Sequence, residues 1–325
     1  MRAEAPAGRL RLLDGPTVAA LLEPAAVRAA VAEAFALHSR GEGRTFPVVR
    51  EQLAEGVFGI KSGAVPAQAL LGYKSAGFWP ANRGRGGEPH QATIVLHDPA
   101  TGRPLCVLDG NAITSARTAA AGAIGLQRLA RPGSRALCLF GTGVQARAHL
   151  AEALRVLPAL EQVRYCTHRG QPDAAFESAF ESAFAGRCAL QFAPDADTAV
   201  AASDVVITAT PGAGPLFCLG AVRPGTHINA VGADTRGKRE LPEGLLARAR
   251  LVVDDRSQAR QLGEAQWAPE LPCTEIGALD DAARAPEAIT VFDLTGLALQ
   301  DLAVARMVLA SAEAQGLGLD IAWPW

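Results

Sequence analysis

The chain has 325 residues, with 31 Lys and Arg side chains against 33 Asp and Glu and a formal net charge of −2. This length accommodates two domains of ordinary size, and the absence of a basic run interleaved with aromatic residues argues against a nucleic-acid partner. No signal-like apolar segment opens the sequence, and no stretch approaches the roughly 18 apolar residues of a membrane span. We therefore expect a cytoplasmic protein with no membrane partner.

The first predicted elements form an α+β domain. Residues 16–39 have helical apolar spacing, and short strand-like segments separated by Gly, Pro and Asn turns follow. These segments are VFGIKS, LLGYKSAG, QATIVLHD and PLCVLDG. A helix predicted over residues 114–129 then connects this substrate-type domain to a second one.

From residue 136 the pattern changes to alternating strands and helices. The predicted strands are ALCLF, QVRYC, ALQF, DVVITAT, THINAVGA, LARARLVVD and ITVFD, and the predicted helices cover 144–157, 172–185 and about 195–202. Such alternation predicts a parallel, doubly wound sheet. A last helix is predicted over 296–315, and we expect it to return to the first domain. The predicted domains are 1–120 completed by 302–325, and 121–301.

The first strand and helix of the second domain are joined by a dinucleotide-binding pattern. Residues 136–146 read ALCLFGTGVQA, in which an apolar strand leads into G-x-G-x-x-A and then into a helix. In such a turn Gly141 makes the tight bend and Gly143 lets the backbone approach a pyrophosphate that faces the helix N-terminus. The pattern predicts nucleotide binding, and its alternative is an ordinary glycine-rich turn.

Thr167, His168 and Arg169 end the second strand of this domain, where an acid would bind the ribose 2′-hydroxyl of NAD. No Asp or Glu stands there, and a small hydroxyl beside a guanidinium suits a 2′-phosphate. We expect NADP(H) as the preferred cofactor. NAD(H) is the alternative, because chains of relaxed specificity also lack the acid, and Arg169 is then a solvated surface residue.

Four charged side chains stand at strand ends or turns, namely Arg50, Lys74, Arg117 and Asp234. Three cations and one carboxylate suit a substrate that has a carboxylate and a nitrogen. Each cation has a solvated charge as its alternative, although Lys74 lies in an apolar strand, where an unpaired Lys is rare. Asp234 either holds or protonates a nitrogen, or it caps a helix or an Asx turn.

Six widely spaced cysteines complete the set of chemically active side chains. They form no C-x-x-C pair and stand beside no paired histidines, so the spacing matches neither a zinc site nor a disulfide framework. We expect them to be small buried apolar residues and predict no bound metal.

Four segments taken together resemble the ornithine cyclodeaminase/mu-crystallin family across nearly the whole chain. They are GTGVQARAH, DGNAITSARTAAAGAIGLQRLA, VGADTRGKREL and VFDLTGLALQDLAVA. The resemblance implies a Rossmann domain for NAD(P)(H), a discontinuous substrate domain and a homodimer in which the N-terminal domains pair. It also implies hydride-transfer chemistry that interconverts α-amino and α-imino acids.

The resemblance also implies roles for individual residues. Arg50, Lys74 and Arg117 resemble the substrate-carboxylate clamp, and Asp234 resembles the acid/base beside the amino nitrogen, with Lys74 as a second catalytic candidate. Thr167 stands where NAD-using cyclodeaminases carry Asp. The positions that match cofactor contacts are Arg117, Thr118, Gly141, Gly143, Val144, Gln145, Thr167, His168, Arg169, Thr210, Val231, Gly232, Lys238 and Leu294.

Lys61 is the residue that bears on substrate choice. It lies in VFGIKSG, where cyclodeaminases carry a carboxylate able to face the distal ammonium of a diamino acid. A cation there disfavours ornithine and favours a second carboxylate, unless Lys61 is a solvated edge-strand residue. FPVVRE, GIKSG, KSAGFWPAN and DTRGK resemble the iminosuccinate reductase branch.

The predicted function is NAD(P)H-dependent reduction of a small 2-imino acid to the L-amino acid. Iminosuccinate and a cyclic ketimine such as pyrroline-2-carboxylate are the candidate substrates. One alternative is an ornithine cyclodeaminase, which forms proline and ammonia with NAD. Another is a protein that binds NADPH without turning over a substrate.

Overall fold

A computed structural model of the chain describes residues 8–280 and 285–323. The chain divides into two compact units, Met1–Arg117 with Leu297–Trp325, and Thr118–Gly296. Both divisions lie a few residues before the predicted ends at 120 and 301. The first division lies inside a helix, α3 (Asn111–Leu129), so this helix contributes residues to both units.

The first unit contains four α-helices or parts of α-helices and eight strands within the described chain. In order, they are β1 Gly8–Leu13, α1 Gly15–Ala20, α2 Pro24–Ser39, β2 Arg44–Thr45, β3 Val49–Gln52, β4 Val57–Val65, β5 Leu70–Phe78, β6 His90–His97, β7 Pro104–Asp109, the start of α3 Asn111–Leu129, α9 Ala298–Gln315 and β16 Leu319–Trp323.

The eight strands of the first unit are hydrogen-bonded to one another. They form one sheet in the order β16-β1-β7-β6-β5-β4-β2, with β3 paired to β4. Neighbouring strands are antiparallel except β1 and β7. Helices α2 and α9 pack together, and α9 lies against β4, β5 and β6 on one face of the sheet. This is the discontinuous α+β domain that the sequence predicts.

The second unit alternates strands and helices. After the remainder of α3, its elements are β8 Ala136–Phe140, α4 Val144–Val156, β9 Gln162–Cys166, α5 Ala174–Phe184, β10 Ala189–Phe192, α6 Ala196–Ala201, β11 Val205–Thr208, β12 His227–Ala230, α7 Leu245–Arg248, β13 Ala249–Val253, α8 Arg256–Leu262, β14 Thr274–Glu275 and β15 Ile289–Asp293. All its strand pairs are parallel, in the order β10-β9-β8-β11-β12-β15-β13-β14. The doubly wound prediction is confirmed.

The central strands of this parallel sheet are buried on both faces. Every residue of β11, β12 and β15 is buried, as expected where helices cover a parallel sheet on both sides. The loops that leave the carboxyl ends of β8, β11, β12 and β15 therefore lie beside one another at one edge. In open α/β sheets, ligands bind at this edge, where the strand order reverses. The reversal here lies between β8 and β11.

The structure corrects the first predicted helix. Residues 16–39 form two helices, α1 and α2, because Pro24 begins α2 and its ring cannot continue a helix from the preceding turn. Glu23 caps α2 by accepting hydrogen bonds from the backbone N–H groups of Ala25 and Ala26. No helix among the described residues is long and apolar enough to cross a membrane.

Strands β1 and β16 were not predicted. Their pairing joins residues about 310 positions apart, as in the contact of Arg11 with Asp320. Helix α3 also begins at Asn111 rather than at residue 114, because Asp109 Oδ1 accepts the backbone N–H of Asn111.

Candidate active site

The turn between β8 and α4 has the backbone that the glycine pattern predicts. Gly141 has φ 101°, and a Cβ there would lie 2.6 Å from the carbonyl oxygen of Ala209. Both features require glycine. A Cβ on Gly143 would meet no heavy atom within 4 Å, so its side of the turn is open. The first N–H groups of α4 follow at once, as a pyrophosphate site requires.

The first two side chains of α4 fit an external ligand. Val144 is 60% exposed although it is apolar. The side-chain oxygen of Gln145 is buried and accepts no hydrogen bond within the described part of the chain. Buried acceptors are normally paired, so an acceptor of this kind fits a site that a bound molecule completes.

A cavity of about 380 Å³ lies at the carboxyl ends of β8, β9 and β11. Its wall includes Phe140, Cys166, Ala193 and Leu216, and more of its surface is apolar than polar. Cofactor sites are commonly apolar clefts with a few polar groups. The cavity therefore suits the flat adenine end of a dinucleotide.

Thr167 serves the local backbone. Its hydroxyl donates to the carbonyl oxygen of Gln171 at 2.7 Å and accepts the Gln171 N–H at 3.2 Å. The hydroxyl thus closes the turn that carries His168 and Arg169, both of which are exposed. These two side chains line a neighbouring cavity of about 490 Å³. Thr167, His168 and Arg169, the residues predicted at the ribose end of the cofactor, therefore lie together, and Thr167 stabilises their turn.

An acid that the sequence analysis missed lies in the same cavity. Asp173 accepts the Thr142 hydroxyl at 2.7 Å and the backbone N–H of Phe176 at 3.0 Å, so it connects the glycine turn to the start of α5. The hydrogen bond from Thr142, followed by that from Phe176, lowers the pKa of Asp173. An Asp that caps a helix is common in any α/β protein. The sequence around Asp173 therefore gave no sign that it also binds Thr142 in the glycine turn.

Glu240 connects the loops that follow β11 and β12. It is fully buried and accepts hydrogen bonds from the Thr210 backbone at 2.8 Å, the Thr210 hydroxyl at 2.7 Å and the Gly232 backbone at 2.8 Å. A Cβ on Gly232 would lie 2.4 Å from Glu240 Oε1, so glycine is required there. Two predicted cofactor positions are thus held by one acid. The segment TRGKREL gave no sign that this glutamate is buried.

Two more buried acids, Glu264 and Asp293, accept backbone hydrogen bonds in this unit. Glu264 Oε1 accepts the backbone N–H groups of Glu240 at 2.6 Å and Leu241 at 3.2 Å. Asp293, at the end of β15, accepts the N–H of Ala265 at 2.9 Å. Burial raises the pKa of Glu264 to about 7 and the pKa of Asp293 well above its ordinary range. These acids shape the loop edge through backbone hydrogen bonds.

Asp234 lies in the loop after β12 with its side chain 49% exposed. It accepts hydrogen bonds from Lys238 Nζ at 2.9 Å and from the Thr235 hydroxyl at 3.1 Å. Lys238 Nζ also donates to the carbonyl oxygen of Gly232 at 3.2 Å. Asp234 precedes no described helix, so the helix-capping alternative does not apply. Lys238, a predicted cofactor position, thus binds the Asp234 carboxylate and the backbone of the same loop.

Three other predicted cofactor positions lie at the edges of the unit. Thr118 lies on α3, one residue after Arg117. Val231 and Leu294 directly follow β12 and β15, and both side chains are buried. Leu294 donates its backbone N–H to the carbonyl oxygen of Ala230 at 2.9 Å. Any contact by these two residues would therefore be made mainly by the backbone.

In the first unit, Lys74 and Arg117 converge on one acid. Lys74 Nζ lies 2.9 Å from Asp301 and 3.2 Å from the Thr114 hydroxyl oxygen. Arg117 Nε donates to Asp301 at 3.0 Å, and its Nη1 donates to Gln300 Oε1 at 3.0 Å. Lys74 is 4% exposed, Arg117 7% and Asp301 0%. Two of the predicted substrate-binding cations are thus paired and buried.

The charges in this group shift one another. Burial lowers the pKa of Lys74 to about 7, although Asp301 opposes this shift. Burial alone would raise the pKa of Asp301, but Arg117 and Lys74 outweigh it and hold the pKa below its ordinary value. Burial, followed by the charge of Lys74, also lowers the pKa of His90, whose Nδ1 lies 3.0 Å from Asn111 Oδ1. Lys74 therefore titrates near neutral pH.

Lys61 lies directly opposite Lys74 in the β4–β5 pair, so both side chains leave the same face of the sheet. Arg50, on β3, lies opposite Gly59, which is two residues before Lys61 on β4 and shares its face. Arg50 is exposed, unlike Lys74. The structure therefore places all four predicted substrate-binding cations in the first unit, with Arg50 at its solvent side.

Gln300 and Asp301 were missed as individual residues, although they lie in the quoted segment VFDLTGLALQDLAVA. An acid in an otherwise apolar helix is a usable signal, because a buried Asp is rare unless paired. The Gln300 amide nitrogen is buried and has no acceptor among residues 8–280 and 285–323. It adds a donor beside Arg117.

Comparison with known proteins agrees with this arrangement. A model of the ornithine cyclodeaminase/mu-crystallin family matches residues 16–316. The chain belongs to this family. It is 35% identical over 316 residues to the iminosuccinate reductase of Paracoccus denitrificans, covering 94% of this chain and 97% of the relative.

Two solved structures are similar to this chain along nearly the whole length of both chains. An archaeal alanine dehydrogenase dimer with bound NAD has a TM-score of 0.88 and 33% identity, covering 97% of this chain and 99% of that one. The Paracoccus denitrificans iminosuccinate reductase in complex with NAD+ has a TM-score of 0.86 and 32% identity, with the same two coverages. The family resemblance and the fold class predicted from the sequence are both confirmed.

Proposed function

We propose that this family member is an NAD(P)H-dependent imine reductase that converts a small 2-imino acid to the L-amino acid. The observation that carries the proposal is the buried Lys74–Arg117 pair on Asp301, a group with net positive charge. The glycine turn with its open side at Gly143 supports the cofactor assignment. The similarity to an iminosuccinate reductase supports the reaction class.

Lys74 and Arg117 bind the substrate carboxylate. Asp301 and Thr114 accept two hydrogen bonds from the Lys74 ammonium, which has three donors, so one donor is left by this count within the described chain. Arg117 has five N–H donors, of which Asp301 and Gln300 accept two. Charged hydrogen bonds from a fixed, buried pair orient a carboxylate strongly.

When bound, the nicotinamide cofactor would supply the hydride that reduces the C=N carbon. Asp234 holds or protonates the substrate nitrogen, since its carboxylate is half exposed and is fixed by Lys238. Lys74 is the second proton-exchanging group, because a pKa of about 7 lets it gain and lose a proton near neutral pH. Arg50, exposed on the same sheet face, completes the carboxylate clamp.

The preferred substrate in this proposal is iminosuccinate, with a cyclic ketimine such as pyrroline-2-carboxylate as the second choice. Lys74, Arg117 and Asp301 together have one net positive charge, which balances one carboxylate. Lys61, directly opposite Lys74, adds a second positive charge on the same face. A substrate with two carboxylates balances both, whereas the distal ammonium of ornithine would be repelled.

We propose that NADPH binds in preference to NADH. Arg169 and His168 line the 490 Å³ cavity at the ribose end, and no acid stands in the Thr167–Arg169 turn. Asp173 lies in the same cavity and carries the opposite charge, but the Thr142 hydroxyl and the start of α5 already bind it. A guanidinium beside it is suited to a 2′-phosphate.

We propose further that two copies of the chain pair through the first unit. The sheet face opposite Lys74 carries a row of side chains across five neighbouring strands, namely Tyr73, Val95, Val107, Leu12 and Leu319. Leu319 is 61% exposed and Leu105, on the same face, is 41% exposed. An exposed apolar sheet face is typical of an interface. The alanine dehydrogenase relative is itself a dimer.

One screen tests the function against its alternatives. The purified protein is incubated with NADPH or NADH and with iminosuccinate, pyrroline-2-carboxylate, or pyruvate plus ammonia, and with NAD+ and ornithine. We expect cofactor oxidation with iminosuccinate. Ammonia release from ornithine without net cofactor turnover would establish the cyclodeaminase instead. Tight NADPH binding without turnover of any of these substrates would establish a cofactor-binding protein.

A further inference from the structure

Asp301 is the one acid that the described structure places between the two buried substrate-binding cations. Lys74, Arg117 and Lys61 come from three elements, β5, α3 and β4, and share one side of the first unit. Without an acid between them, the ammonium and guanidinium would be like charges in a buried site, where repulsion is poorly screened. Asp301 contacts both at about 3 Å and so relieves this repulsion.

Its geometry also orients both cations. Asp301 binds Arg117 through Nε, while the neighbouring Gln300 binds Nη1. Gln300 Oε1 also accepts the N–H of Leu297 at 3.0 Å, which fixes the start of α9. Two consecutive residues of α9 therefore hold two of the guanidinium's N–H groups.

We propose that Asp301 is a positioning residue for the proposed imine reduction: it aims the Lys74 ammonium and the Arg117 guanidinium at the substrate carboxylate. The kinetic part of this inference rests on the proposed function. The charged and titratable groups that act on Lys74 are Asp301 from α9, Arg117 from α3, Lys61 from β4 and, as a neighbour, His90 from β6. Asp301 alone among them favours the charged ammonium.

The test uses Asp301→Asn, which keeps the shape and one oxygen acceptor but removes the charge. With less opposing charge, Lys74 loses its proton at a lower pH. The kcat/KM of the variant for iminosuccinate, divided by that of the wild type at the same pH, should therefore fall by about a further tenfold between pH 6 and pH 8.5. Taking the ratio at each pH removes the pH dependence of the substrate itself.

Asp320→Asn is the matched control. Asp320 forms a two-point ion pair with Arg11 at 2.7 and 2.8 Å in the same unit, away from Lys74. Its removal should give a ratio that does not change with pH. NADPH affinity, measured by fluorescence titration, should be unaltered in both variants. A ratio for Asp301→Asn that is equally flat would overturn the proposal and leave Asp301 a structural role.

A stability measurement covers the case in which Asp301→Asn folds poorly or the wild type turns over no imine. Removing Asp301 alone leaves Lys74 buried without an acid, so Lys74 either stays charged in a buried site or gives up its proton at a cost, whereas removing both side chains avoids this. The double variant Lys74→Met/Asp301→Asn should therefore melt at a higher temperature than Asp301→Asn alone. A double variant that is no more stable than the single one would overturn the proposal independently of catalysis. Absence of wild-type turnover would count only against the proposed function.

Discussion

The two units prepare for anionic ligands in different ways. In the first unit, charged side chains converge, and one acid, Asp301, is surrounded by cations. In the second unit, a glycine turn exposes backbone N–H groups, and buried acids such as Glu240 and Glu264 accept backbone hydrogen bonds behind the loops. The first arrangement fixes charge, and the second fixes backbone shape. Substitutions in the first unit should therefore change substrate kinetics and their pH dependence, and those in the second should change cofactor binding and loop stability.

The largest expected effect concerns Asp234. This residue is an exception to the comparison, because it is a partly exposed acid of the second unit that we expect to act on the substrate. Asp234→Asn should lower turnover by about 10²–10⁴-fold, the usual loss of acid–base assistance. Cofactor affinity and melting temperature should change little. Steady-state kinetics across pH and a cofactor titration measure both. A near-normal rate at every pH would show that Asp234 only holds Lys238.

Glu264 tests whether the buried acids of the second unit are structural. Its folded-state pKa of about 7 lies above the ordinary 4.5, so the folded protein binds this proton more tightly than the unfolded chain does. This contribution to stability is present at low pH and is lost as the pH rises through 7. At about 1.36 kcal/mol per pKa unit, it is on the order of 3 kcal/mol.

Glu264→Gln keeps the oxygen that accepts the two N–H groups but cannot ionise. The free energy of unfolding of the wild type, relative to this variant, should therefore decrease between pH 5 and pH 8. Denaturant unfolding at several pH values measures the difference. A difference that does not vary with pH would contradict the raised pKa of Glu264.

Substitutions of Lys61 test whether the first unit recognises the charge of the substrate. A charged hydrogen bond contributes about 1.5–3 kcal/mol, so Lys61→Ala should lower kcat/KM for iminosuccinate by about one to two orders of magnitude. Pyrroline-2-carboxylate, which has no second carboxylate, should be affected little. Lys61→Glu should weaken dicarboxylic imines further and favour diamino substrates. Equal losses on both imines would assign Lys61 a structural role.

The smallest expected effect concerns Arg169 at the ribose end of the second unit. Arg169→Ala should weaken NADPH binding by about tenfold, the lower end for a charged hydrogen bond, because solvent screens an exposed side chain. NADH binding should stay nearly constant. Titrating both cofactors against wild type and variant decides the matter. Equal losses for the two would remove the 2′-phosphate role.

Sequence patterns predicted the parts of this molecule that local chemistry controls. The glycine turn at Gly141 was predictable because only glycine tolerates its positive φ and the approach of Ala209. The parallel sheet was predictable because its strand-like segments alternate with helices along the chain. Local signals also misplaced one element, since the single helix expected over 16–39 is interrupted by Pro24.

The amino-acid sequence by itself determined the doubly wound fold, the dinucleotide turn and the family, because each can be recognised from segments of residues that are close together along the chain. Only the tertiary structure decided which charges meet. Lys74 and Asp301 are 227 residues apart and Arg117 and Asp301 184 apart, yet each pair is in contact. Glu240 likewise reaches Thr210 across 30 residues. Pairings of this kind depend on how strands and helices pack, and that arrangement alone turns an ordinary Asp or Glu into a buried partner.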